Sequence, residues 1–448
     1  MKKIDFLGGV NGEVTGSSYL LTSSNDSEIL IDLGMFQGDA LSVKKNYEML
    51  GFHAATLQGV FITHGHLDHC GRLPLLVYGG YRGKIYMTAP TKSFVQILLD
   101  DSARIAEKDR SKEPLYTAEE VWKTMDMIEV VDYDTEIKVG NFTAIYRDAG
   151  HILGSSSIEI KDNLDDQKIV FSGDLGNTPQ NIVKPTKYID SADIVVMEST
   201  YGDSDHPNED PTAIIQEEIN IIEKSDGVLL IPVFAIERTQ EILHIINHLK
   251  EEGKVASTTQ VFLDSPMAID VTSVYMNFKE HYNEEIQSHK DIPFNFDGLE
   301  ITYDPRDSKQ IRNKAGAKVI IAGSGMMSGG RILHHAYNYL PLDSTRVLFV
   351  GYQAEETLGR QVLEGAKHVK IDNESVTVRA NIREIKTLSS HADQQRLMKW
   401  LTHIKDVKKV FLVHGENEQR EALAEKIKTD LKITDITLPN YNDSIPLT

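Results

Sequence analysis

Residues 59–69 read Gly59-Val60-Phe61-Ile62-Thr63-His64-Gly65-His66-Leu67-Asp68-His69. The opening run is apolar and β-branched, as a buried strand requires. In extended backbone, side chains two positions apart point the same way, so His64 and His66 can grip one ion. Past the bend, Asp68 and His69 can reach a second ion. Imidazole with carboxylate suits zinc or a neighbouring transition metal. Three histidines and an aspartate packed between His64 and His69 point to metal binding rather than to scattered surface polarity.

Three other segments have the same form. Gly150-His151, Ser172-Gly173-Asp174 and Val413-His414-Gly415-Glu416 each set a metal-ligand type just past an apolar run. Alone, each is as readily structural. Together with the first stretch they supply the ligands two ions need. One ion takes His64, His66, His151 and Asp174. The other takes Asp68, His69, Asp174 and His414, with Asp174 bridging through its two oxygens.

The chain has 448 residues, which suggests two or three domains and enough length to bury a core. Hydrophobic residues at 40% and charged residues at 25% fit a globular protein and exclude extensive disorder. The single cysteine, Cys70, excludes an internal disulfide and favours a reducing, cytoplasmic setting. Following His69 directly, it reads as a packing residue. No run of about 18 apolar residues crosses a membrane, and Asp5, Gly8 and Gly9 break any secretory apolar region. The net charge of −20 argues against a sequence-specific duplex binder. It does not exclude an enzyme whose metal ions hold phosphate. Locally the balance reverses: residues 306–342 carry Arg306, Lys309, Arg312, Lys314, Lys318 and Arg331 against Asp307 alone.

The first 200 residues read as short strands at 29–32, 59–63, 84–87, 136–139, 142–147, 156–161, 168–172 and 193–197. Gly140-Asn141 marks a tight hairpin. Helices begin near Pro90 and at Thr117, where Thr117 and Glu120 form a capping-box pattern. This is the pattern of a sandwich with outer helices. From about residue 206 helix and strand alternate. Ile215, Ile219 and Ile222 make one helical stripe after Pro211; Ile242, Ile245, Ile246 and Leu249 make another, ended by Gly253. Apolar strands at 227–233, 261–263, 319–322 and 347–350 complete a parallel, doubly wound pattern. Strand-like alternation returns at 376–380, before the strand 410–413. The expected domains are therefore 1–205 and 376–448, forming one sandwich, with 206–375 inserted.

The H-x-H-x-D-H motif from His64 to His69, with Asp32 ending Ile29-Leu30-Ile31-Asp32, resembles the metallo-β-lactamase fold. Glu198-Ser199-Thr200-Tyr201-Gly202, Ser389-Ser390-His391-Ala392-Asp393 and Val413-His414-Gly415-Glu416 resemble the three extra motifs of the β-CASP nucleases. The stretch from Pro232 through Phe234, Ala235, Arg238 and Gln240 to Glu241, and Gly323-Ser324-Gly325-Met326, are similar to that family too. The resemblance covers essentially the whole chain. It is closest to short bacterial and archaeal members related to the nuclease of mRNA 3′-end cleavage, without a KH extension or the long C-terminal domain of the ribonuclease J group.

The resemblance implies an α/β architecture: a metallo-β-lactamase αββα sandwich with an inserted β-CASP domain. It implies two Zn²⁺ per chain, with Mn²⁺ as an alternative, sharing a hydroxide that attacks phosphorus in single-stranded RNA. Asp68 belongs to that catalytic set as well as to the ligands. His391 is the expected proton donor to the leaving oxygen, oriented by Glu198. Asp32 is expected to support a ligand histidine from behind. Arg238, Arg331 and Arg360 are candidate phosphate contacts, and Ser324 and Ser390 lie in small-residue loops suited to phosphate or base. RNA is expected between the domains, touching the basic stretch. A histidine at the third extra motif, here His414, goes with RNA rather than DNA in that family. No membrane partner is implied; a homodimer is left open. The rival reading is a di-zinc (thio)ester or lactone hydrolase on the same scaffold, which the long insertion disfavours.

Overall fold

Alternation in the first 200 residues decides which way each strand faces. In Glu28–Ile31, Ile29 and Ile31 point into one apolar cluster and Leu30 into another. In Ile194–Glu198, Ile194 and Val196 join the first cluster while Val195 and Met197 join a third. The shared cluster lies between two sheets, and the other two lie under outer helices: an αββα sandwich. The computed structural model describes residues 1–109, 113–177, 180–288, 293–354 and 356–447.

The chain divides into two units, one of Met1–Asp205 with His391–Thr448 and one of His206–Ser390. In the first unit, one seven-stranded sheet has the order Asp443–Pro446, Lys3–Gly8, Ser18–Thr22, Glu28–Ile31, Gly59–Phe61, Ile85–Met87 and Ile128–Val130. The other has the order Ile436–Thr437, Lys409–Val413, Ile194–Glu198, Gln167–Phe171, Ser156–Asp162, Phe142–Asp148 and Glu136–Val139. Thr88 caps the helix Ala89–Lys108, which carries Pro90 in its first turn. The Thr117–Glu120 capping box closes the helix Ala118–Asp126 at its start.

The second unit is a six-stranded sheet, parallel throughout, in the order Leu299–Ile301, Gln260–Leu263, Lys318–Ala322, Val228–Pro232, Thr345–Phe349 and Asn381–Glu384. Here the structure differs from the sequence reading. The alternation at 376–380 does not rejoin the sandwich. Glu374–Thr377 pairs with His368–Ile371 as a separate hairpin, and Asn381–Glu384 extends the second unit's sheet. The chain re-enters the first unit only at His391. Alternation reveals a strand with two unlike faces but not which sheet it joins. The reading also passed over Lys3–Gly8 and Ser18–Thr22. Both are buried on nearly every side chain, and Ser18–Thr22 shows no alternation.

Candidate metal centre

Strand direction gathers the ligand-type residues. Glu28–Ile31 and Gly59–Phe61 run parallel, and Asp32 and His64 follow their carboxyl ends. Gln167–Phe171, Ile194–Glu198 and Lys409–Val413 also run parallel to one another, and Asp174, Glu198 and His414 stand at their ends. Phe142–Asp148, two antiparallel steps from Gln167–Phe171, points the same way and delivers His151. His66 and the short helix Leu67–Cys70 bring Asp68 and His69.

Asp174 sits at the meeting point. Its Oδ2 lies 3.3 Å from His64 Nε2 and 3.5 Å from His151 Nε2. Its Oδ1 lies 3.2 Å from His69 Nε2 and 3.7 Å from His414 Nε2. His66 Nδ1 is 3.0 Å from His64 Nε2 and 3.2 Å from His151 Nε2. Asp68 Oδ2 is 3.2 Å from His414 Nε2. Two groups result, His64, His66, His151 and Asp174, and Asp68, His69 and His414, each with ligand atoms within 4.8 Å of one another. The two oxygens of one carboxylate face the two groups.

These residues fit a metal on their own chemistry. Three imidazole nitrogens crowd together in the first group. Burial leads in holding His64, His66 and His151 below the ordinary histidine range, His66 at about 3. They are therefore neutral and keep lone pairs to give. Buried His69 Nε2 and Asp174 Oδ1 face each other at 3.2 Å and have no other hydrogen-bond partner among the described residues. Buried polar atoms left with so little company are costly, and a cation held by both would satisfy them. Burial opposes the charge on Asp174 and Asp68, but neighbouring histidines outweigh it and hold both carboxyls below their usual range.

The second layer is dense. Asp32 accepts from the backbone N–H and the hydroxyl of Thr63, each at 2.8 Å, and its Oδ2 is 2.8 Å from His69 Nδ1. That contact aims His69 Nε2 at Asp174. Asp32 and His414 both hold positive φ, +56° and +48°, a strain that persists where the surroundings over-determine it. Thr63 also approaches His64 Nδ1 at 3.0 Å, and Thr200 approaches His414 Nδ1 at 3.1 Å. Sequence reasoning missed both threonines. Their only signal is position, one residue before His64 and two after Glu198.

His391 lies against the same site. Ala392 N–H donates to Leu175 C=O at 2.8 Å, which docks this segment beside Asp174. His391 Nδ1 is 3.3 Å from both carboxylate oxygens of Glu198, and Nε2 is 3.9 Å from Asp174 Oδ2. Glu198 is itself fixed, accepting from Leu175 N–H at 2.6 Å. Burial disfavours the imidazolium, but the Glu198 and Asp174 carboxylates outweigh it and raise His391 to about 9. His391 also falls within ligand distance of Asp174 and His414; its Nδ1 is turned to Glu198 instead. Cys70 is fully buried, and burial pushes its thiol up, as suits a packing residue.

The expected substrate contacts lie in the second unit. Arg238 is buried, its Nε and Nη2 donating to Ser390 Oγ at 3.2 and 2.9 Å. Ser324 Oγ accepts from Ser328 N–H at 2.9 Å. Arg360 pairs with Glu364 at 2.6 Å. Arg331, another expected phosphate contact, has its guanidinium donating to Asp264 at 2.6 Å and to the carbonyls of Thr302 and Tyr303. It ties loops together. The basic stretch is also less basic than its own window suggests. Arg306 pairs with Asp304 and Lys314 with Glu300, acids that precede it in the chain.

A sandwich with histidines and aspartates gathered at one edge defines a metal-dependent hydrolase of the metallo-β-lactamase class. Residues 11–202 match the metallo-beta-lactamase superfamily, 239–362 the Beta-Casp domain, and 375–439 the Zn-dependent metallo-hydrolase RNA specificity domain. Ribonuclease TTHA0252 of Thermus thermophilus is 34% identical over 98% of this chain and 99% of its own length. An RNase J-like protein of Methanocaldococcus jannaschii is 31% identical, covering 97% of each. RNase aCSPSF2 of Saccharolobus solfataricus is 30% identical over 98% of this chain and 84% of its own. A crystal structure of a protein of unknown function from Enterococcus faecalis shares the fold, with TM-score 0.58, 14% identity and full coverage of both chains. The chain belongs to the metallo-β-lactamase, β-CASP ribonuclease family. Among the described residues no helix is long and apolar enough to cross a membrane.

Proposed function

We propose that this protein is a cytoplasmic di-zinc ribonuclease that hydrolyses phosphodiester bonds of single-stranded RNA in RNA processing or decay. The observation that carries the reading is Asp174, whose two oxygens face two separate groups of imidazoles beside a carboxylate-paired histidine. His64, His66, His151 and Asp174 would hold one zinc ion, and Asp68, His69, Asp174 and His414 the other. Zinc bound there supplies Lewis acidity toward a phosphoryl oxygen and water activation at neutral pH.

The chain's own groups do the rest. Asp32 keeps the Nδ1 proton of His69, so that Nε2 is the nitrogen left to ligate. Glu198 accepts from His391 Nδ1–H and holds the ring protonated. His391 then carries its second proton on Nε2, on the Asp174 side, and gives it to the leaving oxygen. In the second unit Arg238, Ser324, Arg360 and Ser390 are the proposed substrate contacts.

The test is incubation of purified protein with 5′-labelled and internally labelled single-stranded RNA, with zinc or manganese and with chelator, followed by sizing of the products. Chelator-sensitive shortening is expected, and the product ladder distinguishes internal from 5′-terminal attack. RNA left intact with both metals, alongside turnover of a thioester or lactone, would replace this reading with that of a small-molecule hydrolase.

A further inference from the structure

The carboxyl edge of a parallel sheet is where open α/β units bind ligands. In the second unit the loops after Val228–Pro232, Lys318–Ala322 and Thr345–Phe349 meet at that edge. Two aromatic rings stand there in solvent. Phe234 is 37% exposed and Tyr352 51%.

Phe234 is exposed although it is held. A Cβ on Gly325 would stand 2.7 Å from Phe234 Cδ2, and one on Gly351 would stand 3.1 Å from its Cε2. One edge of the ring thus rests between two stretches of bare backbone, and a side chain at either position would displace it. Buried Gln353 ties those two stretches together, its Nε2 donating to Gly325 C=O at 3.0 Å and to Gly351 C=O at 2.9 Å. Behind the ring, the Thr239 hydroxyl donates to Phe234 C=O at 2.8 Å, and Arg238 bonds Ser390. A phenyl group gains by leaving water, yet this edge fixes the ring and leaves 37% of the residue exposed.

A flat ring seated against the small-residue loops at Gly325 and Gly351 matches the needs of a nucleobase. Base-on-aromatic stacking requires no hydrogen-bond pattern and so accepts any base. We propose that Phe234, seated between Gly325 and Gly351, is a stacking platform for one base of single-stranded RNA, with Tyr352 lining the same edge. The proposal rests on the ribonuclease reading and names the part of the substrate that this unit grips.

The test uses the full chain loaded with zinc and carrying His391→Ala to slow turnover. Its ligand is an RNA of about ten nucleotides with 2-aminopurine, or an abasic sugar, placed at each position in turn. Phe234→Leu, which keeps an apolar side chain of similar reach but removes the π face, should weaken binding roughly 5- to 100-fold, and Phe234→Trp should retain it. At one position 2-aminopurine should be quenched by the protein that keeps Phe234 and bright with the Phe234→Leu variant. At that position an abasic sugar should weaken binding to the protein that keeps Phe234 and leave binding to the Phe234→Leu variant unchanged. If the abasic penalty is the same in both proteins at every position, the platform is wrong even though RNA is bound and cut. If the unsubstituted protein neither binds nor cuts RNA with zinc present, the ribonuclease reading fails and the platform fails with it.

Discussion

Asp174 and His391 lie 3.9 Å apart and should fail differently when removed. Asp174→Ala takes a carboxylate that faces both groups, so zinc content should fall sharply and cleavage should go with it. His391→Ala leaves both groups complete, so metal should stay while RNA cleavage drops roughly 10²–10⁴-fold, the usual worth of a positioned acid. Elemental analysis and cleavage rates of the two variants decide this. If His391→Ala loses zinc as Asp174→Ala does, His391 is a ligand, the role its distance to Asp174 and His414 would permit. A substrate with a better leaving group should restore His391→Ala, because such a group departs without a proton. At this scale much was legible. Ligand types crowd one short stretch and recur at strand ends, and the Glu198–His391 partnership came from the motif resemblance. What was not legible is the company each side chain keeps. Neither Thr63 nor Thr200, though Thr200 lies inside one of the extra motifs, announces its contact with a histidine, and Arg331 meets Asp264 only because the chain folds that way.

Among elements, the helix Arg238–Glu251 begins under strain. Glu237, which precedes it, holds φ at +66° with its side chain fully buried, a conformation that costs a non-glycine residue about 1–3 kcal/mol. Tyr275 donates its hydroxyl to the Glu237 carboxyl. Burial, and then the nearby Glu241, raise that carboxyl to about 8. A carboxyl that holds its proton more tightly when folded adds stability below its unfolded value. That stability is lost as pH climbs through the folded value. Between about pH 5 and pH 8 the helix start therefore becomes less stable. Glu237→Gln, which cannot ionise, should gain stability over the parent as pH rises from about 6 to about 9, by on the order of 1–3 kcal/mol. Melting temperatures of both proteins at the two pH values test it, and an equal difference at both would show that Glu237 does not titrate in this range. Elements themselves were readable where two unlike faces gave alternation, as in Phe142–Asp148, or where a short apolar run stood out, as in Glu28–Ile31. Ser18–Thr22 was not read: it is buried throughout and begins and ends on hydroxyl residues, so its apolar run is only three residues long. The hairpin of His368–Ile371 with Glu374–Thr377 shows the remaining limit, since pairing partners are a tertiary fact.

For the whole chain, the proposed metal site ties metal to stability through the unit that carries the candidate ligands. In the first unit, imidazole nitrogens face one another at 3.0 and 3.2 Å, and a buried carboxylate oxygen has no hydrogen bond among the described residues. Zinc that binds this arrangement and not the unfolded chain stabilises it by mass action, about 4 kcal/mol when free metal exceeds its dissociation constant a thousandfold. A unit of this size shifts its midpoint by roughly 2–4 °C per kcal/mol. Stripping the metal with a strong chelator should therefore lower the melting transition of the unit formed by Met1–Asp205 and His391–Thr448 by on the order of 10 °C. The unit His206–Ser390 contains none of the seven proposed ligand residues, so its transition should stay where it was. Calorimetry before and after chelation, with zinc returned in a third scan, measures both. A single transition that moves as one would mean that the two units unfold together, so the metal would stabilise the whole chain. No movement at all, with elemental analysis showing the metal gone, would mean that the histidine groups are as stable without ions as with them. The crowded Asp174 oxygens and the facing imidazoles would then need a different explanation, such as ordered water in the place assigned to zinc.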